Sequence, residues 1–361
     1  MKPWVEKYRP KTLESISSQE EVVNALKAAI DNYEKVCTLP HLLLHGPAGT
    51  GKTTTALALS RQLFGEDPEI LAMRVLELNA SDDRGIHVVR EKIKKFSRNV
   101  IHEGAAIPGT KKIMPPFKVI ILDEADALLP DAQSALRRII EDTSSSTRFI
   151  LLGNYLSRII DPISSRCVKY KFNPIPKSLV IDKLAEIIRE ESAKKSNAEL
   201  TESQCLLVDL IYQSSNGDMR NAITLLQSAM EYNFPAMLHC KAMAEDIDEH
   251  VLCDALGIMP RAVITEYASK GWISGKFTDL LFETKKLLRM GYSGITIVQF
   301  LLKYFVEAEV DAKSSSSFNT IQRSLLAIKL AQVEKSLMDG ADDMLQLLSV
   351  GCYAQRVFQA S

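Results

Sequence analysis

Apolar residues recur at two spacings over the first 170 or so positions and at only one beyond them. Short unbroken runs stand at Leu42-Leu43-Leu44, Val119-Ile120-Ile121-Leu122 and Phe149-Ile150-Leu151-Leu152, with weaker ones at 75–79 and 168–172. Such runs are what strands buried on both faces of a parallel sheet require. Between them the spacing becomes that of a helix face, as at 22, 23, 26, 29 and 30 within 19–32, and again over 52–64, 86–96 and 131–141. Strands alternating with helices predict a doubly wound parallel sheet, with its ligand at the carboxyl ends of the strands. Residues 4–10 read as an extended arm ending in proline, and 103–116, with two glycines and three prolines, as a loop.

After Asn173-Pro174-Ile175-Pro176 the strand signal stops. Amphipathic segments at 178–192, 201–214 and 219–231 predict a small helical lid, with Gly217-Asp218 as turn and N-cap before the third. Further helical segments around 262–270, 276–290, 293–308, 318–338 and 341–358 predict a second bundle without an internal repeat. The fold class is therefore α/β plus all-α: a nucleotide-binding α/β domain over 1–173, a helical lid over 174–236 and a C-terminal helical domain over 245–361.

Composition narrows this picture only a little. A length of 361 residues suits two or three domains, and 46% hydrophobic with 25% charged residues describes a globular protein. The formal net charge of −1 gives no sign of a dedicated nucleic-acid binder, so any such surface must be local. Six cysteines without paired spacing signal neither a zinc site nor a disulfide framework. The start Met1-Lys2-Pro3-Trp4 does not read as a signal peptide, and no apolar run has the length of a membrane span, so no membrane partner is expected.

Chemistry enters where the first apolar run ends, at Gly46-Pro47-Ala48-Gly49-Thr50-Gly51-Lys52-Thr53-Thr54. A buried strand, a glycine-rich turn and a helix start follow in the order a phosphate-binding loop needs. Backbone N–H groups would cradle phosphate oxygens at the positive end of the helix, Lys52 would neutralise the β and γ phosphates, and the Thr53 hydroxyl would hold Mg²⁺. About seventy residues on, Asp123-Glu124 end an apolar strand. Asp123 would hold Mg²⁺ and Glu124 would polarise an attacking water; as a bland alternative, both merely cap the next helix. Asn154, ending the neighbouring run, suits a bond to that water or to the γ phosphate, or plain turn chemistry.

Phosphoryl transfer also calls for guanidinium groups. Arg220 begins a lid helix and suits sensing in cis, whereas Arg166, in Ser164-Ser165-Arg166-Cys167, suits donation to another subunit. Surface ion pairs are the alternative for both. Arg84, Arg90 and Lys94 fall on one side of a helix and could follow a phosphate backbone, although such a stripe is more often a solvated face.

Taken together, WVEKYRP at 4–10, GPAGTGKT, LELNASDDRG at 76–85, VIILDEAD at 119–126, SRIIDPISSRC at 157–167 and GDMR at 217–220 resemble the small subunits of replication factor C, the sliding-clamp loader. The likeness runs along essentially the whole chain. It implies an AAA+ ATPase core, a helical lid and a C-terminal collar through which five different subunits form an open ring around primer–template DNA and bind the PCNA clamp in the nucleus. By position it implies ATP and Mg²⁺ held by Lys52, Thr53, Asp123 and Glu124, sensors at Asn154 and Arg220, and an arginine finger at Arg166 acting in trans. Val5, Arg9 and Ser17 fall where the family surrounds the adenine, and Arg84, Arg90 and Arg158 where it lines the DNA chamber. Ala48 and Gly153, neither of which carries a functional group, stand where the family usually has proline and cysteine, so the departures leave the implied ATP binding in place. Two other readings remain: an AAA+ DNA motor of the Holliday-junction translocase type, and a scaffold subunit that binds nucleotide without hydrolysing it.

Overall fold

Five parallel strands, β1 (His41–His45), β2 (Val75–Asn79), β3 (Lys118–Asp123), β4 (Thr147–Gly153) and β5 (Cys167–Lys171), form one sheet in the order β2-β3-β4-β1-β5. The computed structural model describes residues 2–16, 18–36, 39–80, 86–98, 114–191, 202–215, 217–231, 253, 259–273, 276–304 and 320–359. The chain divides into two units, Met1–Ala244 and Glu245–Ser361.

The three central strands, β3, β4 and β1, are buried on both faces, as their apolar runs demand. Leu42, Leu44, Val119, Ile121, Ile150 and Leu152 point to one face and pack with residues of α2 (Glu20–Val36) and α3 (Lys52–Phe64). Their alternate neighbours Leu43, Ile120, Leu122, Phe149 and Leu151 pack on the other face against α5 (Ile86–Arg98) and α6 (Pro130–Thr143). Burying each such side chain stabilises the fold by about 1.5–3 kcal/mol. Parallel pairing aligns His45 with Gly153 and Asn79 with Asp123, so the polar residues that end these strands emerge along one edge. A single helical turn, α7 (Asp161–Ser164), precedes β5, and the three helices expected of the lid, α8 (Lys177–Glu191), α9 (Glu202–Ser215) and α10 (Met219–Glu231), follow the sheet within the same unit.

Two short elements depart from the sequence expectation. Residues 4–7 form a helical turn, α1 (Trp4–Lys7), where an extended arm was expected. Pro3 holds φ −55° and ψ 144°, and its carbonyl accepts the N–H groups of Glu6 and Lys7 at 3.0 and 3.0 Å, while the Trp4 N–H donates to Gln227 Oε1 at 2.9 Å. A single turn anchored by a tertiary bond leaves no periodicity to read. The helix α4 (Pro68–Arg74) had no sequence assignment, although Asp67 caps it through the Glu69 N–H at 3.0 Å with proline at its first position, a signal that an Asp-Pro pair can carry.

In the C-terminal unit the helices Arg261–Tyr267, Phe277–Arg289, Gly294–Leu302, Thr320–Met338 and Asp343–Gln359 pack around Tyr267, Trp272, Leu280, Leu326 and Leu347. The expected helix at 262–270 continues as a π-helical turn, Ala268–Ile273, whose Gly271 carbonyl accepts from Gln355 Nε2 at 2.7 Å. Residues 103–113 and 305–319 lie outside the described residues.

Candidate functional site

At the carboxyl end of β1 the chain turns through Gly46 to Gly51 into α3. Gly46 adopts φ 151° directly beneath β5's continuation, where an added Cβ would lie 2.2 Å from the Phe172 carbonyl oxygen. At Gly49 (φ 67°) a Cβ would fall 1.7 Å from Asp218 Oδ1, so position 49 must be bare for the lid to approach. Lys52 is only 8% exposed, and its Nζ donates to the carbonyls of Gly46 and Pro47 at 2.8 and 2.7 Å and to Asn154 Oδ1 at 3.0 Å. Burial pulls the Lys52 ammonium below its ordinary pKa, and Arg220 adds to that; Asp123, Asp126 and Asp218 oppose it. A phosphate taking the place of those neutral acceptors would favour the charged form further.

Thr53 Oγ1 donates to Asp123 Oδ2 at 2.8 Å, bringing two hard oxygen donors together at the mouth of the loop. This all-oxygen pair fits Mg²⁺, which keeps several waters and takes only one or two protein ligands beside phosphate. Asp123 Oδ1 accepts the Glu124 N–H at 2.8 Å. Glu124 is the only non-glycine residue with positive φ among the described residues, at φ 53° and ψ 37°. That left-handed conformation costs on the order of 1–2 kcal/mol, and it follows directly on the strand that delivers Asp123.

The lid reaches the loop through its third helix. Asp218 Oδ1 caps α10 by accepting the Arg220 and Asn221 N–H groups at 2.8 and 3.1 Å, and the Met219 N–H donates to the Gly49 carbonyl at 3.3 Å. Arg220 thereby enters the same cleft as Lys52, of about 400 Å³. The N-terminal segment lies on the lid side of that cleft. Tyr8 Oη donates to Glu191 Oε1 at 2.8 Å, and Lys7 Nζ lies 2.5 Å from the same oxygen. The Tyr8 phenol is pushed up to about 12, chiefly by burial and then by Glu191.

Of the sequence-derived site residues, Val5, Arg9, Ala48, Gly49, Thr50, Gly51, Lys52, Thr53, Thr54, Asp123, Glu124, Asn154 and Arg220 all line this one cleft. Gly46 and Pro47 contribute the carbonyls that Lys52 grips. Ser17 lies outside the described residues, between Ile16 and Ser18, which line the cleft. Arg166 does not line it: its guanidinium is exposed, 2.5 Å from Glu141 Oε1, and donates to the Pro162 carbonyl at 2.6 Å. Arg158 ends an exposed 3-10 turn, Leu156–Arg158, with its guanidinium 4.9 Å from the Tyr155 ring centre. Arg84 lies outside the described residues, as does the side chain of Arg90 on α5.

Three further residues escaped sequence reasoning. Asn79 lines the cleft because β2 pairs with β3 in register with Asp123, and Lys183 because α8 turns that face inward. Asp126, three positions after Asp123, accepts the Asn154 and Tyr155 N–H groups at 3.1 and 3.1 Å. Only Asp126 had a usable signal, as a third acid in the Asp-Glu-Ala-Asp run.

Comparison with known proteins agrees with this architecture. Residues 42–175 match the family model for ATPases associated with various cellular activities (AAA), and residues 260–352 match the replication factor C C-terminal domain. Human replication factor C subunit 4 is 42% identical over 348 residues, covering 96% of this chain and 86% of that protein. Arabidopsis thaliana subunit 4 is 40% identical over 351 residues (96% and 93% covered), and Saccharomyces cerevisiae subunit 2 is 37% identical over 348 residues (96% and 91% covered). Among solved structures, the Thermotoga maritima RuvB Holliday junction branch migration motor aligns at TM-score 0.49 and 17% identity, covering 72% of this chain and 79% of that one, a likeness too slight to bear on function. A glycine-rich loop at the end of a parallel strand, a helical C-terminal unit, and identity sustained over nearly the whole length make this chain a member of the replication factor C small-subunit family, built on an AAA ATPase domain.

Proposed function

We propose that the chain is an ATP-hydrolysing subunit of a replication factor C hetero-pentamer, which uses ATP binding and hydrolysis to open the PCNA clamp and load it onto primer–template DNA in the nucleus. The observation that carries this reading is the meeting of Lys52, Thr53, Asp123, Asn154 and Arg220 in one cleft while Arg166 stands exposed away from it. Lys52 and the loop amides would hold the phosphates, with Mg²⁺ on Thr53 and Asp123 supplying charge neutralisation of the transferred group. Glu124 would take a proton from the attacking water, Asn154 and Arg220 would contact the γ phosphate, and Val5, Arg9 and Ser17 would enclose the base.

Residues 1–173 then serve as the nucleotide module, 174–236 as its lid and 245–361 as the assembling collar. Assembly has two supports. Arg166 does not line this chain's own cleft, which suits a finger donated to a neighbour's site. On the helix Thr320–Met338, Ile321, Leu325 and Ile328 form a stripe at i, i+4 and i+7 and are 66%, 39% and 58% exposed, as a face that a sister subunit covers would be in the single chain. Arg84, Arg90 and Arg158 would follow the DNA backbone. The match of 260–352 to a replication factor C domain favours the loader over a Holliday-junction motor.

Lys52→Ala tests the site directly. Losing a charged donor to phosphate should weaken ATP binding by about 10- to 100-fold in equilibrium titration. Unchanged affinity would refute this cleft as the nucleotide site.

A further inference from the structure

The run Asp123-Glu124-Ala125-Asp126 carries three acids, and the reading of the cleft employs two. The third, Asp126, is turned aside toward the next strand. It sits in the 3-10 turn Ala125–Ala127, whose Ala125 is buried in the core and so anchors the turn. Its Oδ2 accepts the N–H of Asn154 at 3.1 Å and the N–H of Tyr155 at 3.1 Å, the first two residues beyond β4. One N–H belongs to the peptide entering Asn154 and the other to the peptide leaving it. A carboxylate gripping both sets the planes on either side of the Asn154 Cα, and with them the direction of its side chain. Hydrogen bonds to an ionised acceptor are the stronger kind, so this grip resists local fluctuation. It is also close: a Cβ on Gly153 would lie 3.1 Å from Asp126 Oδ1, and the bare glycine leaves the carboxylate that room. The side chain so aimed is the one whose Oδ1 meets Lys52 Nζ at 3.0 Å.

We infer that Asp126 is a positioning residue for hydrolysis: by holding the peptides on both sides of Asn154 it aims that amide at Lys52 and the phosphate end of the cleft. The inference rests on the proposal that the cleft hydrolyses ATP. Asp126 itself lies outside the set of residues that line the cleft. Its side chain bonds the Asn154 and Tyr155 N–H groups and acts on Lys52 through charge alone, so its loss should largely spare nucleotide affinity while slowing the chemical step. An amide misplaced by about 1 Å is sufficient for a loss on the order of 100-fold in rate.

The test uses the full-length chain in complex with the subunits that purify with it, their own phosphate-loop lysines replaced so that turnover reports this site. Asp126→Ala, Asp126→Asn, Asn154→Ala and the double variant D126A/N154A are compared for ATP affinity and single-turnover hydrolysis. Asp126→Ala should slow hydrolysis about 100-fold with ATP affinity little changed, Asp126→Asn, which keeps an acceptor oxygen, should recover most of the rate, and the double variant should be no slower than the slower single one. A full rate in Asp126→Ala, affinity falling in step with the rate, or losses that multiply in the double variant would overturn the inference. Should Asp126→Ala fail to fold, Asp126→Asn is measured with and without Asn154→Ala. A rate effect that vanishes in the Asn154→Ala background upholds the inference, and one of equal size in both backgrounds overturns it. An unsubstituted chain that binds ATP and never turns it over would overturn the ATPase reading itself, and this inference with it.

Discussion

Lys52 shows how one buried cation is kept ready for an anion. Its Nζ holds three neutral oxygens, on Gly46, Pro47 and Asn154, in a place where burial depresses its pKa. An anion offers what those acceptors do not, a compensating charge, and preference for phosphate follows. His41 shows the opposite adjustment. Its Nδ1 accepts the Phe149 N–H across β1 and β4 at 3.1 Å, and burial, with Arg148 adding, lowers its pKa to about 4 from 6.5. The folded chain thus binds fewer protons at His41 than the unfolded chain between those values, so stability is full above about pH 6.5 and falls as pH drops toward 4. The loss has an upper bound of about 3 kcal/mol, which partial solvent contact reduces. Denaturant unfolding across that pH range should show a shallower acid-side decline in His41→Gln than in the unsubstituted chain; identical slopes would remove His41 as the cause. Residues consecutive in the chain, such as Gly46 to Thr54, were legible in the sequence because local order alone builds the loop. Asn79 and Lys183 were not, because each reaches the cleft across a strand pair or from another element that no local spacing encodes, and Asp126, although visible as a third acid in its run, gave no local sign of its bonds to the Asn154 and Tyr155 N–H groups.

At the scale of elements, unbroken apolar runs announced three of the five strands clearly, β1, β3 and β4, since a strand buried on both sides has few alternatives to unbroken hydrophobicity. The same alternation that sends Leu42 and Leu44 to one face and Leu43 to the other explains why the sheet tolerates little change. Leu151, fully buried at the centre of β4, has neighbours on both β3 and β1. Leu151→Ala should destabilise the fold by about 2–5 kcal/mol in denaturant melts, and a loss below about 1 kcal/mol would show that the site collapses around the cavity. What stayed hidden were elements too short for a period: the single turn of α1, the seven residues of α4 and the π turn at Ala268–Ile273. Each is held by a partner outside itself or by a cap, Gln227 for Trp4, Asp67 for α4 and Gln355 for Gly271. A bond made across more than eighty residues, like that of Gln355, has no local signature.

For the whole molecule, the proposal makes ATP a signal passed between neighbours. Glu141 holds the Arg166 guanidinium in an exposed ion pair, a kind of contact worth under about 1 kcal/mol, which on that proposal would be exchanged for a phosphate presented by another subunit. The apolar stripe on the helix Thr320–Met338 predicts that Ile328→Glu, at a position 58% exposed in the single chain, leaves the melting of this chain unchanged yet weakens its assembly, as read by size-exclusion chromatography with its sister subunits. Assembly as tight as that of the unsubstituted chain would exclude this face from the interface. The measurement closest to the central claim is Arg166→Ala in the assembled complex, followed by ATP binding at this subunit's own cleft and hydrolysis at its neighbour's. The account predicts unchanged ATP affinity in this cleft and a loss of about 10³-fold or more in the neighbour's turnover; undiminished turnover next door, or hydrolysis lost from the isolated chain itself, would contradict it.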